Sequence, residues 1–142
     1  MRSIVVGTDG SVIAETAVRW AVELAAGGNT SVHLVTAYPD VPSYGERLVG
    51  TARRERIDLR ETAEAVLARA GREFEEAAIE VSTYACEGDA AAVLIAVAEE
   101  QHADLIVVGA RGLTGLDRFL LGSVSSKLAH HAPCSVMIVR ER

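Results

Sequence analysis

The chain has 142 residues, of which 49% are hydrophobic and 24% charged. That suits one globular domain with its own core, residues 1–142, and leaves little room for a second. The formal net charge of −6 excludes broad nucleic-acid binding, which needs a basic face to neutralise phosphates, but leaves room for a local basic pocket that takes one small anion. No apolar run approaches the roughly 18 residues of a membrane span, and Ile4-Val5-Val6 is too short for the apolar region of a signal peptide. A cytoplasmic protein with no membrane partner is expected.

Aromatic residues make up only 4%, so the core must be built from Ala, Val, Leu and Ile. Five short β-branched runs are predicted as strands: Ser3–Gly7, Ser31–Thr36, Ile79–Cys86, Asp104–Gly109 and Cys134–Arg140. Ile4-Val5-Val6 and Leu105-Ile106-Val107-Val108 are continuously apolar, as strands buried on both faces of a parallel sheet are. Between them lie helical patterns. The first places Ala14, Ala17, Val18, Ala21, Val22 and Ala25 on one face, with Ser11 as N-cap and Gly27-Gly28 as stop. The segment from Pro39 to about Arg56 reads as irregular, either a loop that closes over a ligand or a plain surface connection. The second helix carries Leu59, Ala63, Val66, Leu67, Ala70 and Phe74 inward. The third starts after Asp89 and turns Val93, Ala96 and Val97 inward. The fourth follows Ser123, with Leu128 and Ala132 inward.

Strict β-α alternation implies an α/β fold: an open, doubly wound, five-stranded parallel sheet flanked by four helices. Ligands of such sheets sit outside the carboxyl ends of the strands, at the point where strand order reverses. The loops after strands one, two and four therefore carry the candidate site.

After strand four comes Gly109-Ala110-Arg111-Gly112, then nine residues, then Gly122-Ser123 ahead of a helix. Two readings are open. Glycines let backbone approach a phosphate closely, and unpartnered N–H groups at a helix start suit an anion. Equally, the glycines are turn residues and Ser123 an N-cap. A dipole contact is worth about 0.3–1 kcal/mol, whereas micromolar affinity needs about 8 kcal/mol, so several donors and a base-stacking pocket would have to act together. Asp9, at the end of strand one, is placed to accept from sugar hydroxyls or to bind Mg2+ through oxygen; otherwise it is an Asp-Gly turn residue. Thr8 offers a hydroxyl nearby. Arg111 and Arg118 are shaped to pair with phosphate or are solvated loop charges, and Asp117 reads as a surface residue.

Gly109-x2-Gly112-x9-Gly122-Ser123, with Ile4-Val5-Val6-Gly7-Thr8-Asp9-Gly10-Ser11 and the tail His131-Ala132-Pro133-Cys134-Ser135-Val136-Met137-Ile138-Val139-Arg140, resembles the universal stress protein family from first strand to last. The resemblance implies a Rossmann-like, adenine nucleotide alpha hydrolase-like sheet and, because the glycine motif is intact, the branch that binds ATP. It implies that Gly109, Gly112, Gly122 and Ser123 hold phosphates and ribose, that Val124 and Ser125 add contacts at the helix start, that Asp9 faces the ribose or a phosphate-bound metal, and that Ala37 meets the adenine edge through its backbone. It also implies a homodimer built on the last strand, 135–139, where Ser135 departs from the family's usual Pro; otherwise the tail Arg140-Glu141-Arg142 protects that edge.

Cys86 and Cys134 have no redox spacing and read as small thiols near strand ends. His33 and His102 read as isolated surface or strand-edge residues. His130 and His131 sit at a helix end that favours a cation. The expected function is a stress-response or signalling module in which the nucleotide is a regulatory ligand, hydrolysed slowly at most, since GxxxxGK[ST] is absent. A nucleotide-free dimeric scaffold is the alternative. An adenylyl-transferring enzyme would carry His-x-Gly-His or Ser-Gly-Gly-x-Asp-Ser after strand one, and a phospho-acceptor receiver an acidic pair there; Thr8-Asp9-Gly10-Ser11 is neither.

Overall fold

The structure is a computed structural model that describes residues 3–41, 45–112 and 121–141. Among them the elements alternate as β1 (Ser3–Gly7), α1 (Val12–Ala25), β2 (Ser31–Tyr38), α2 (Gly45–Glu76), β3 (Val81–Glu87), α3 (Ala90–Glu100), β4 (Leu105–Gly109), α4 (Ser123–His131) and β5 (Ser135–Val139). The strands form one parallel sheet in the order β3-β2-β1-β4-β5.

That order follows from handedness. β1 to β2 to β3 steps one way across the sheet, and right-handed crossovers put α1 and α2 on one face. The chain then crosses back beyond β1 to β4 and β5, which puts α3 and α4 on the other. Two cores result, one per face. Ile4, Val6, Val32, Leu34 and Val107 pack with Ala17, Val18, Leu67 and Phe74, while Val5, Val35, Ile106 and Val108 pack with Leu94, Val97 and Leu128. Alternate residues of β1 thus feed opposite cores, which is why the run is apolar without a break.

Local chemistry sets the ends. Ser11 caps α1 by accepting from the Ala14 N–H at 3.2 Å, and Asp89 caps α3 by accepting from Ala92 at 3.1 Å. α2 closes with Ala78 in the left-handed region, φ 57°, with Ala78 N–H to the Glu75 carbonyl and Ile79 N–H to that of Phe74. This is a Schellman closure completed by the apolar contact of its outer residue. His102, φ 49°, ends α3 in the same way.

Several sequence expectations are corrected. β3 begins at Val81, not Ile79, because Ile79 belongs to the closure of α2. β2 runs on past Thr36 to Tyr38, since its ladder with β3 continues to Tyr38 opposite Glu87. The segment from Pro39 to Arg56 is helical from Gly45 onward. Its Glu, Arg, Leu and Ala residues favour helix, and extending a helix already nucleated downstream is easy. Gly50 hid it, at a propensity cost of about 1 kcal/mol. The inward face of α3 is Ala91, Leu94, Val97 and Ala98, and Ala96 is exposed. His33 is not a surface residue: it is buried in β2, one strand in from the edge, with Nδ1 2.8 Å from the Tyr84 hydroxyl. Burial pushes its pKa below the ordinary 6.5.

Candidate functional site at the carboxyl edge of the sheet

Strand order reverses between β1 and β4, so the chain leaves these neighbours in opposite directions and opens a crevice at their carboxyl ends. Three pieces of chain border it: residues 8–11 after β1, 110–112 after β4, and the start of α4.

The first piece is held by its own polar groups. Thr8 N–H donates to the Val35 carbonyl at 3.0 Å, and Thr36 Oγ1 donates to the Thr8 carbonyl at 2.8 Å. Thr8 is buried, and its hydroxyl accepts from Gly10 N–H. Asp9 is exposed; its Oδ1 accepts from Ser11 N–H at 3.0 Å. Gly10, at φ 82°, makes the turn that no L-residue makes easily.

The second and third pieces are pinned through Ala110, a residue the sequence reading gave no role. Its N–H donates to the Val139 carbonyl at 2.8 Å, tying the loop to β5. Its carbonyl accepts from Gly122 N–H and from Ser125 Oγ, both at 2.7 Å. The chain ahead of the nine-residue insert is therefore bonded to the chain that follows it. Ser125, expected as a ligand contact, is fully buried with its hydroxyl engaged in this clamp. Gly122 is the N-cap of α4 and Ser123 its first residue, so Ser123 is not the cap that one reading made it. Ser123 is exposed, and Val124 packs part of its side chain into the core beside Leu128.

The glycines owe their identity to the protein itself. A Cβ at Gly109 would lie 3.1 Å from Ile13 and one at Gly122 3.2 Å from the Ala110 carbonyl. One at Gly112 would lie 2.5 Å from Asp9 Oδ2. Asp9 and Gly112, 103 residues apart in sequence, thus touch across the crevice. Arg111 is not a solvated loop charge: its side chain is 15% exposed and Nη2 is 3.3 Å from Glu141 Oε2. Arg118 and Asp117 lie outside the described residues.

Ala37 stands apart, at the end of β2. The last β1–β2 pair is Gly7 with Val35, whose carbonyl faces β1. Backbone polar groups alternate sides along a strand, so Ala37, two residues on, turns its N–H and carbonyl the same way, over the crevice. Together these residues offer an exposed carboxylate, helix-start N–H donors, one guanidinium and a stretch of β2 backbone beyond the end of its ladder with β1. Both cysteines are free thiols whose pKa burial pushes up. Among the described residues no cluster of His, Cys, Asp and Glu is built to hold a metal by itself, and no helix is long and apolar enough to cross a membrane.

Fold and crevice define a doubly wound, Rossmann-like α/β domain with its candidate ligand site at the switch point. The universal stress protein family model matches residues 1–140, and the chain belongs to that family. It is 33% identical over 141 residues to a universal stress protein of Thermus aquaticus, covering 98% of each chain. It superposes on the universal stress protein UspA from Lactobacillus plantarum with a TM-score of 0.86 at 24% identity, covering 97% of each. It also superposes on a universal stress protein solved in complex with cAMP, with a TM-score of 0.72 at 30% identity, covering 98% of this chain and 96% of the other.

Proposed function

We propose that the crevice binds an adenine nucleotide, ATP in particular, as a regulatory ligand of a stress-response module. One observation carries this reading. α1 and α3 both begin at the carboxyl edge with a side-chain cap on their own N–H groups, whereas α4 begins on Gly122 with no side-chain cap. A glycine N-cap spends no side chain on the leading N–H groups of α4, and such groups suit an anion at the positive end of the helix. The cAMP complex of a 30% identical relative supports a nucleotide as that anion.

The donor set fits such a ligand. Ser123 and the helix-start amides of Ser123, Val124 and Ser125 hold phosphate oxygens, with the backbone of Gly109, Gly112 and Gly122 beside them. Arg111 supplies positive charge. Asp9 accepts from a ribose hydroxyl or takes a nucleotide-bound Mg2+ through oxygen, and Ala37 offers backbone to the adenine edge. Mg2+, when bound, neutralises phosphate charge. In this reading the nucleotide is a ligand that is hydrolysed slowly at most, in keeping with the absence of GxxxxGK[ST] from the sequence, and the protein works in the cytoplasm as a sensor. We propose further that it is a homodimer through β5, the edge strand whose Val136, Met137 and Ile138 are half-buried.

Mass spectrometry of small molecules released by denaturing freshly purified protein, with thermal shifts in ATP, tests the reading. Bound adenine nucleotide or an ATP-dependent rise in Tm supports it. No nucleotide and no shift overturns it in favour of an empty dimeric scaffold.

A further inference from the structure

Arg111 sits inside the glycine motif, largely shielded from solvent, and among the described residues its ion-pair partner is Glu141. The pairing is built into the sheet. Gly109 pairs with Val139 at the end of the β4–β5 ladder. Ala110 N–H to the Val139 carbonyl continues that ladder one step. The next step brings Arg111 level with the residues just past β5, and Glu141 meets it at 3.3 Å. A carboxylate of the chain itself thus occupies the side chain best suited to a phosphate oxygen.

We propose that Glu141 is an affinity-determining residue of the nucleotide site: it stands in for a phosphate on Arg111 and must be displaced when a polyphosphate reaches that guanidinium. This rests on the nucleotide-binding reading. The two anions compete for one fork of donors. Glu141 is tethered but mostly exposed, 62% by side chain, so water and salt weaken its hold. A polyphosphate with several negative charges displaces it. A ligand without phosphate has no claim on Arg111 and leaves the pair closed. Glu141 thereby narrows the preference for a polyphosphate over adenosine, because only the polyphosphate has to break the pair.

The test is a double-mutant cycle on the full chain, with binding of ATP and of adenosine measured by calorimetry for wild type, Glu141→Gln, Arg111→Gln and the double variant. Glu141→Gln is expected to tighten ATP about two- to fivefold, the range of an exposed ion pair, and Arg111→Gln to weaken it. In the Arg111→Gln background, Glu141→Gln is expected to change nothing, because Glu141 acts only through Arg111. Adenosine is expected to be indifferent to all three variants. Unchanged ATP affinity in Glu141→Gln, or an equal gain with and without Arg111, overturns the proposal while nucleotide binding stands. No ATP binding by any of the four proteins overturns both.

Discussion

In a Gly112→Ala variant the new methyl group falls 2.5 Å from Asp9 Oδ2, where ordinary contact begins near 3.4 Å. Gly112 does not have a left-handed φ, so the backbone accepts alanine and the carboxylate is what must give, by about 0.9 Å. That carboxylate also accepts from Ser11 N–H through Oδ1, a bond that holds the turn into α1. Weakening a bond of this capping type costs about 1 kcal/mol, or about 3–5 °C in Tm for a domain of this size. If Asp9 also contacts the ligand, nucleotide affinity falls about tenfold, as losing a hydrogen bond to a charged group does. Thermal unfolding and calorimetric titration with Mg-ATP read the two effects separately. Gly50→Ala is the control: that glycine is exposed in α2 with no neighbour within 4 Å of an added Cβ. It is expected to raise stability by about 0.5–1 kcal/mol and leave affinity alone. Wild-type stability and affinity in Gly112→Ala would refute the contact between the two loops. Lost stability with wild-type affinity would remove Asp9 from the ligand site.

Two further expectations concern the frame. Ala78 holds a left-handed φ that glycine adopts freely, so Ala78→Gly is expected to stabilise by about 1 kcal/mol in urea unfolding. The folded state keeps His33 neutral below the 6.5 at which an unfolded histidine takes up its proton. The His33 contribution to stability is therefore full above pH 6.5 and lost as pH falls from there through the lowered folded value. His33→Gln is expected to flatten the difference between unfolding at pH 7.5 and at pH 5.5, and an undiminished difference would assign the pH dependence to other groups.

Much of the frame was legible in residue order, because apolar runs such as Ile4-Val5-Val6 leave little choice about which strands are buried on both faces. Ser11 and Asp89 declared their helices through side chains that bond to backbone three residues on. The start of α2 was hidden because Gly50 weakens the helical pattern there. His33 was misread because a histidine between valine and leucine looks the same whether its ring meets water or the Tyr84 hydroxyl. At the site, the glycine spacing marked the right backbone for an incomplete reason. Gly112 leaves room for Asp9, and Gly122 for the Ala110 carbonyl, contacts that only the fold creates. Ala110 and Glu141 carried no signal at all: an alanine acting through its backbone and a carboxylate near the tail have no motif.

Amide chemical shifts followed by NMR during titration of the full chain with Mg-ATP bear most directly on the crevice as a nucleotide site. Saturable shifts at Asp9, Gly112, Ser123 and Val124, with Ala37 moving alongside, are expected. A saturable response confined to the opposite edge of the sheet, or no response at the start of α4, would contradict it.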